Sequence, residues 1–299
     1  MRLRVLHRVR YSYPAPAAES HYELRLMPLS DRSQSCLDFR LNALPPARIT
    51  AQDLPSGRVH SVHLSGPHSE AILTAEALVV TYRHDPFASL QLDRDDGAFY
   101  TNEGLRRRYA EYLQPTEQVP FSPEADRIAS VARRQAGIGT ASFLIALTRL
   151  LHRVFTYPPD AAAIHPALQN VLASPQDAIR DFAHLMLAVC RRQGIPARYL
   201  SGYFYVEESA AGHPEPDAVN AALAVQRGNG RAAMHSWVEC LLPNERWHGF
   251  DPALNQLAND AYIKVHYGRD YSDVAPLRGL YRGPLAPVVH TSIRITTEN

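Results

Sequence analysis

Apolar and polar residues alternate at the start of the chain. Leu3, Val5, His7, Val9, Tyr11 and Tyr13 occupy every second position, with Arg4, Arg8, Arg10 and Ser12 between them. Successive side chains of a strand point to opposite faces, so this run predicts a long, half-buried β-strand. Strand-like patterns recur over His21–Leu29, Val59–Leu64 and Ala71–Arg83, separated by clusters of Pro, Gly, Asp and Ser. The N-terminal part therefore reads as an antiparallel β-sandwich.

The period then changes. Asp85–Val119 carries no clear pattern, and it ends in a proline-punctuated linker, Leu113-Gln-Pro-Thr-Glu-Gln-Val-Pro-Phe-Ser-Pro. We accordingly expect a β-rich unit over 1–120 and a second unit over 121–299. Ser122-Pro123-Glu124 offers an N-cap, a proline at the first helical position and an acid in the first turn. Ile128, Ala129, Val131 and Ala132 follow at helical spacing. Phe143, Leu144, Leu147, Leu150, Leu151 and Val154 predict a second amphipathic helix.

A third helix is expected to start at Ile179–Arg180–Asp181. Phe182, Leu185, Met186 and Val189 form its stripe, Arg191 and Arg192 suit its C-terminal dipole, and Gly194 and Pro196 stop it. Strands are expected at Ala197–Val206, Met234–Leu242 and Trp247–Phe250, with Glu207–Arg231 as a surface loop. The order gives an α+β arrangement, a helix packed on an antiparallel sheet.

Composition narrows the function classes. Hydrophobic residues make up 45% and charged residues 20%, and the net charge of +1 gives no electrostatic case for nucleic acid. The densest basic stretch, Arg106–Arg108, reads as a solvated helix face. No window approaches the ~18 apolar residues of a membrane span, and the N-terminus has no signal-peptide core. Cys36, Cys190 and Cys240 are the three cysteines, far apart in sequence. They suggest free buried thiols in a reducing compartment, hence a cytoplasmic protein. His60, His63 and His68 lie close in sequence, but no Cys or carboxylate pattern completes a metal shell. No metal or cofactor is expected.

Thiol acyl transfer needs a thiolate near a helix N-terminus, a facing His, and a carboxylate or amide that holds the imidazole's tautomer. Here His235 lies in Met234-His-Ser-Trp-Val-Glu on one strand. Asp251 lies in Trp247-His-Gly-Phe-Asp-Pro at the end of the next, so two adjacent strands can bring the pair together.

Asp181-Phe-Ala-His-Leu-Met, Gly194-Ile-Pro-Ala-Arg-Tyr-Leu-Ser-Gly-Tyr, His235-Ser-Trp-Val-Glu and Gly249-Phe-Asp-Pro resemble the bacterial transglutaminase-like family. So does Tyr267-Gly-Arg-Asp-Tyr-Ser-Asp-Val-Ala-Pro-Leu-Arg-Gly. The N-terminal strands resemble the β-rich domain that precedes this catalytic domain. The resemblance implies a papain-like core with a Cys–His–Asp triad. In the family a Gly-Val-Cys-Gln segment precedes Asp-Phe-Ala-His, whereas this chain has Asp177-Ala178-Ile179-Arg180. The resemblance thus puts Ile179 in the nucleophile's place, and an sp³ carbon side chain cannot form a thioester.

Other thiols are poor substitutes. Cys190 lies 11 residues along the same helix, about 16 Å away at ~1.5 Å per residue. Cys240 is an odd number of residues from His235 on a strand, hence on the opposite face. His235 and Asp251 form a remnant pair, and Arg180, Asp181, Tyr199 and Trp237 are candidate binding residues. Three functions stay open: a pseudoenzyme that binds a peptide or protein, a weak amidase or transamidase on glutamine-containing peptides using His235 and Asp251, and an inert scaffold. The resemblance adds two candidate partners, an active transglutaminase-like relative and an ATP-grasp-type peptide ligase.

Overall fold

A computed structural model describes residues 1–82, 85–88, 90, 92, 96–156, 175–206 and 232–298, with side chains at 154–156, 175–181 and 232–233 left out. The Glu207–Arg231 loop and Ser174 lie outside the described residues.

Two long strands organise the N-terminal unit. β1 spans Arg2–Leu24 and β4 spans Gly57–Thr81; between them come β2 (Gln34–Leu44) and β3 (Arg48–Leu54). The alternation that predicts a strand up to Tyr13 runs on into the His21 segment as one strand. The Val59 and Ala71 segments are likewise parts of β4. Pro14 and Pro16 fall between the paired positions Ser12↔Glu70 and Ala17↔His68, where the β1–β4 register shifts. A bulge of this kind tolerates a residue without an N–H. The two halves of these long strands share one buried core, in which Val9, Tyr11 and Leu73 meet Tyr22, Leu24 and Val62. The sandwich is thus built from one hydrogen-bonded sheet.

The C-terminus completes that sheet. β10 (Leu277–Arg282) and β11 (Val288–Thr297) both pair antiparallel with β1. A division at residue 120 therefore does not hold for the last strands: residues 277–297 belong structurally with the N-terminal sheet. It also fails for 97–119, where α1 (Gly97–Thr101), α2 (Glu103–Arg108) and a 3₁₀ turn (Ala110–Tyr112) lie. Tyr100 and Val119 are buried in the core of the second unit, and the Tyr100 hydroxyl donates to the Leu241 carbonyl at 3.0 Å.

That second unit carries α3 (Pro123–Gln135), α4 (Thr140–Thr156) and α5 (Pro175–Arg192) against a five-stranded antiparallel sheet of order β8-β7-β6-β5-β9. The strands are β5 (Ala197–Tyr205), β6 (Ala232–Leu241), β7 (Trp247–Asp251), β8 (Gln256–Leu257) and β9 (Tyr262–Gly268), followed by the short α6 (Tyr271–Val274). Ser122 caps α3 by accepting from the Ala125 N–H at 3.3 Å. α5 begins at Pro175, four residues before the expected start, with proline at the position whose missing N–H costs a helix nothing. It ends where expected. Gly194 adopts φ +74°, the Ile195 N–H reaches the Cys190 carbonyl at 2.9 Å, and the Gly194 N–H reaches the Arg191 carbonyl at 3.0 Å. This is the Schellman pattern that closes a helix through a glycine.

The two units are joined by a buried apolar cluster of Leu3, Val5, Ala77 and Val79 with Tyr203, Ile263, Val265 and Ile295. Residues 25–34 add polar links to the edge of β9. The Leu29 N–H donates to the Lys264 carbonyl at 2.9 Å, and the Gln34 side-chain amide brackets the Lys264 backbone with two bonds of 2.8 Å. Among the described residues no helix is long and apolar enough to cross a membrane.

Candidate active site

Alternation along β6 sorts its residues between two environments. Val238 and Cys240 face α5, in one cluster with Phe182, Met186 and Phe250. Trp237 belongs to a separate cluster with Leu200, Ala258 and Tyr262, and His235 and Glu239 share its register on the strand. β7 pairs with β6 through Val238↔Phe250, which sets Asp251 opposite the Trp237 side of the strand.

His235 and Asp251 meet there with both side chains sealed from solvent. His235 Nε2 and Asp251 Oδ2 are 2.5 Å apart. The same oxygen accepts from the Tyr262 hydroxyl at 2.6 Å. Asp251 Oδ1 accepts the backbone N–H groups of Ala253 at 2.9 Å and Leu254 at 3.1 Å. Four donors thus converge on one carboxylate, which when ionised only accepts. The proton of a neutral imidazole is thereby assigned to Nε2, leaving Nδ1 as the basic nitrogen. His235 Nδ1 is buried and has no hydrogen-bond partner among the described residues. It is the atom that would receive a proton from a facing nucleophile.

A ring shell fixes this imidazole. Trp237 lies nearly parallel to it at 6.2 Å between centroids, Tyr262 at 6.0 Å and Phe204 at 5.6 Å. Tyr262 is itself held, its oxygen accepting from Gln256 Nε2 at 2.6 Å. Burial, then the charge of Asp251, pushes the Tyr262 hydroxyl well above its ordinary range, so it stays a donor at neutral pH. No motif in the sequence marks Tyr262 or Gln256; only the short β8 turn after Asp251 brings them back to the carboxylate.

Two expected binding residues are packed in the interior. Tyr199 is fully buried, its ring 5.1 Å from His184 and 6.3 Å from Tyr271, because position 199 falls on the α5 side of β5. Trp237 is 1% exposed and covers the His–Asp pair instead of lining an open groove. His184 is structural, its Nε2 accepting from the Tyr271 N–H at 3.2 Å. Ile179, Arg180 and Asp181 lie in the N-terminal turns of α5, and their side chains fall outside the description.

The remaining thiols stand apart from the pair. Cys190 and Cys240 are fully buried with their sulfurs 3.7 Å apart, and burial raises the Cys240 thiol well above its ordinary range. Cys36 lies in β2, where burial and then Asp38 push it to about 11. Thiols in such settings are poor nucleophiles at neutral pH.

An accessible cavity of about 710 Å³ lies at the junction of the two units, lined by Asp31, Ser33, Arg198, Trp247, Ala258 and Lys264 among others. Arg198 stands between the rings of Trp247 at 4.3 Å and Tyr267 at 3.8 Å. Beneath it Glu239, fully buried, is paired with Arg198 and with Lys264.

A helix laid on an antiparallel sheet, with a buried His–Asp pair on neighbouring strands, defines a papain-like core preceded by a β-rich unit. Residues 3–80 match the bacterial transglutaminase-like N-terminal region, and residues 139–252 match the transglutaminase-like superfamily. An uncharacterized protein of Mycobacterium leprae is 32% identical over 297 residues, covering 99% of this chain and 98% of the relative. One from Mycobacterium tuberculosis is 27% identical over 308 residues, covering 98% and 92%. The crystal structure of a candidate cysteine protease from Cytophaga hutchinsonii shares the fold with a TM-score of 0.65 at 18% identity, over 100% of this chain and 92% of that one. The chain belongs to the transglutaminase-like superfamily and carries its bacterial N-terminal region.

Proposed function

We propose that this chain is a transglutaminase-like pseudoenzyme, one that has lost thiol acyl transfer and uses its core to bind a peptide or a partner protein. The observation carrying this reading is the sequence Asp177-Ala178-Ile179-Arg180 on α5, where the family resemblance calls for the nucleophilic cysteine. An isoleucine offers no lone pair to an acyl carbon. The only cysteines are Cys36, Cys190 and Cys240, each with its own structural setting, and Cys190 and Cys240 are sealed between α5 and β6.

The alternative, a weak amidase in which His235 activates water, is disfavoured by the complete burial of both side chains of the pair. The junction cavity, with its stacked arginine and Trp247, is the surface best suited to a peptide. An active transglutaminase-like relative or an ATP-grasp-type peptide ligase is the partner class the family resemblance suggests, and the cytoplasm the compartment its free thiols suggest.

The decisive experiment restores the missing group. Ile179→Cys, alone and with Arg180→Gln, is assayed for iodoacetamide alkylation at neutral pH and for transamidation of glutamine-containing peptides, beside the unaltered chain. The unaltered chain is expected to be inert in the transamidation assay, and the Ile179→Cys variant to gain alkylation at the substituted position. Peptide turnover by the unaltered chain that disappears in His235→Ala would overturn the proposal.

A further inference from the structure

A second group of chemically competent side chains lies in the N-terminal sheet, remote in sequence from His235 and Asp251. β1 and β4 pair with His21 opposite His63, which brings the two imidazoles together across neighbouring strands. Their rings stack at 4.1 Å with 9° between planes. Glu19 precedes His21 by two residues and so shares its face. Its Oε1 is 2.7 Å from His63 Nε2 and 3.2 Å from His21 Nε2. Its other oxygen faces Arg282 Nη2 at 3.6 Å, so the guanidinium orients the carboxylate while Oε1 points at the histidines.

We propose that Glu19, His21 and His63 form an open, three-ligand Zn²⁺ site in the N-terminal sheet. The donor set, two imidazole nitrogens and one carboxylate oxygen, is one that zinc takes where it keeps a further position free. The three candidate ligand atoms lie within 4.8 Å of one another. Zinc bonds of about 2.0–2.2 Å in a tetrahedral shell put ligand atoms roughly 3.3 Å apart. Small side-chain rotations close that difference, and these side chains have room to make them, with exposures of 33%, 57% and 34% for Glu19, His21 and His63.

The environment suits the ion's chemistry. Glu19 sets a carboxylate oxygen beside both imidazole nitrogens, the mixed oxygen and nitrogen donor set that zinc takes when its histidines are neutral. His21 and His63 also line a cavity of about 560 Å³ with Arg48, Thr50, Ser61 and Arg278. The free coordination position would open to that cavity, where water or a carboxylate completes the shell. Binding ties β1 to β4 independently of the fate of the thiol site, and the site stands whether or not the chain is a pseudoenzyme.

The test is calorimetric titration of the metal-free full chain with ZnCl₂ at pH 7.5, followed by Co²⁺ titration read by visible absorption. About one equivalent should bind, with tetrahedral cobalt bands. His63→Ala should weaken binding at least about tenfold, and so should His21→Asn, a change at a solvent-exposed position that leaves the fold intact. His290→Ala, an exposed histidine on β11, should bind as the unaltered chain does. Failure of the unaltered chain to bind, or unchanged affinity in either His21→Asn or His63→Ala, would overturn the proposal.

Discussion

Replacing Glu239 by glutamine probes the polar joint beneath the junction cavity. The carboxylate is fully buried. Its Oε2 takes Arg198 Nη2 at 2.5 Å and Nε at 2.9 Å, and its Oε1 faces Lys264 Nζ at 2.9 Å. Lys264 also reaches Asp31 of the N-terminal unit at 2.6 Å. Burial alone would raise the Glu239 carboxyl, but Lys264 and Arg198 outweigh it and bring it from 4.5 down to about 2. At about 1.36 kcal/mol for each tenfold change in proton affinity, that difference is worth about 3 kcal/mol of stability. A carboxyl whose folded value lies below its unfolded value contributes fully above the unfolded value. The contribution is lost as pH falls through the folded one, here between 4.5 and about 2. Glutamine keeps the shape and removes the charge, leaving two cations short of an anion, a change that costs about 3–5 kcal/mol at buried pairs. Urea unfolding followed by circular dichroism should place Glu239→Gln about 3 kcal/mol below the unaltered chain at pH 7, with the gap narrowing below pH 4.5. Taking the difference between the two proteins cancels the titration of carboxyls that share no cation with Glu239; Asp31, which shares Lys264, is the exception. A gap under about 1 kcal/mol at pH 7, or one that does not shrink on acidification, refutes the reasoning.

Three further outcomes are expected. His7, whose Nδ1 meets the Tyr203 hydroxyl at 3.1 Å, is lowered from 6.5 to about 4 by burial. The unfolded chain therefore takes up its proton first, and stability declines as pH falls from 6.5 towards 4. His7→Leu should flatten that slope in the same unfolding assay, and an unchanged slope would count against it. Gly202 leaves no room for a Cβ against the Ile263 carbonyl and the Trp237 ring, so Gly202→Ala should cost about 3 kcal/mol by calorimetric melting; a neutral substitution would show the β5–β9 contact to be looser than described. Under native conditions iodoacetamide should leave Cys190 and Cys240 unmodified, both being fully buried, and mass mapping that found either alkylated before unfolding would contradict their placement.

What the sequence discloses follows from how each element is buried. β1 and α3 each pack one face and expose the other, so their periods stand out: Val5, Val9 and Tyr11 are buried while Arg4, Arg8 and Arg10 are exposed. His235 and Asp251 are legible because each sits in a short motif on its own strand. Other elements leave no such trace. β3 is exposed at every position but Ile49, and β10 at every position but Leu277, so neither shows an alternation to read. β11 is similar, with only Ile295 buried. Each is held by backbone pairing with a long strand that already supplies the apolar face.

The same reasoning explains the domain boundary. A proline-rich stretch such as Leu113–Pro123 looks like a linker whenever its few apolar residues are judged locally, yet Leu113 and Val119 are both buried, Val119 within a core assembled from α3, α4, α5 and the second sheet. Only pairing partners at the far end of the chain, Leu3 with Thr297 and Ser12 with Val288, return the C-terminus to β1. Such closure has no local signature, since any exposed strand can satisfy an edge's hydrogen bonds. The zinc-type cluster shows the converse. Glu19 and His21 are two residues apart, but His63 joins them only through the β1–β4 register. Proximity in sequence groups His63 with His60 and His68, whereas His68 turns to Ser20 at 2.8 Å and Gly66 at 2.9 Å and His60 lies against Phe39. Register, more than residue type, decides which of these histidines share a face and which ligands they can share.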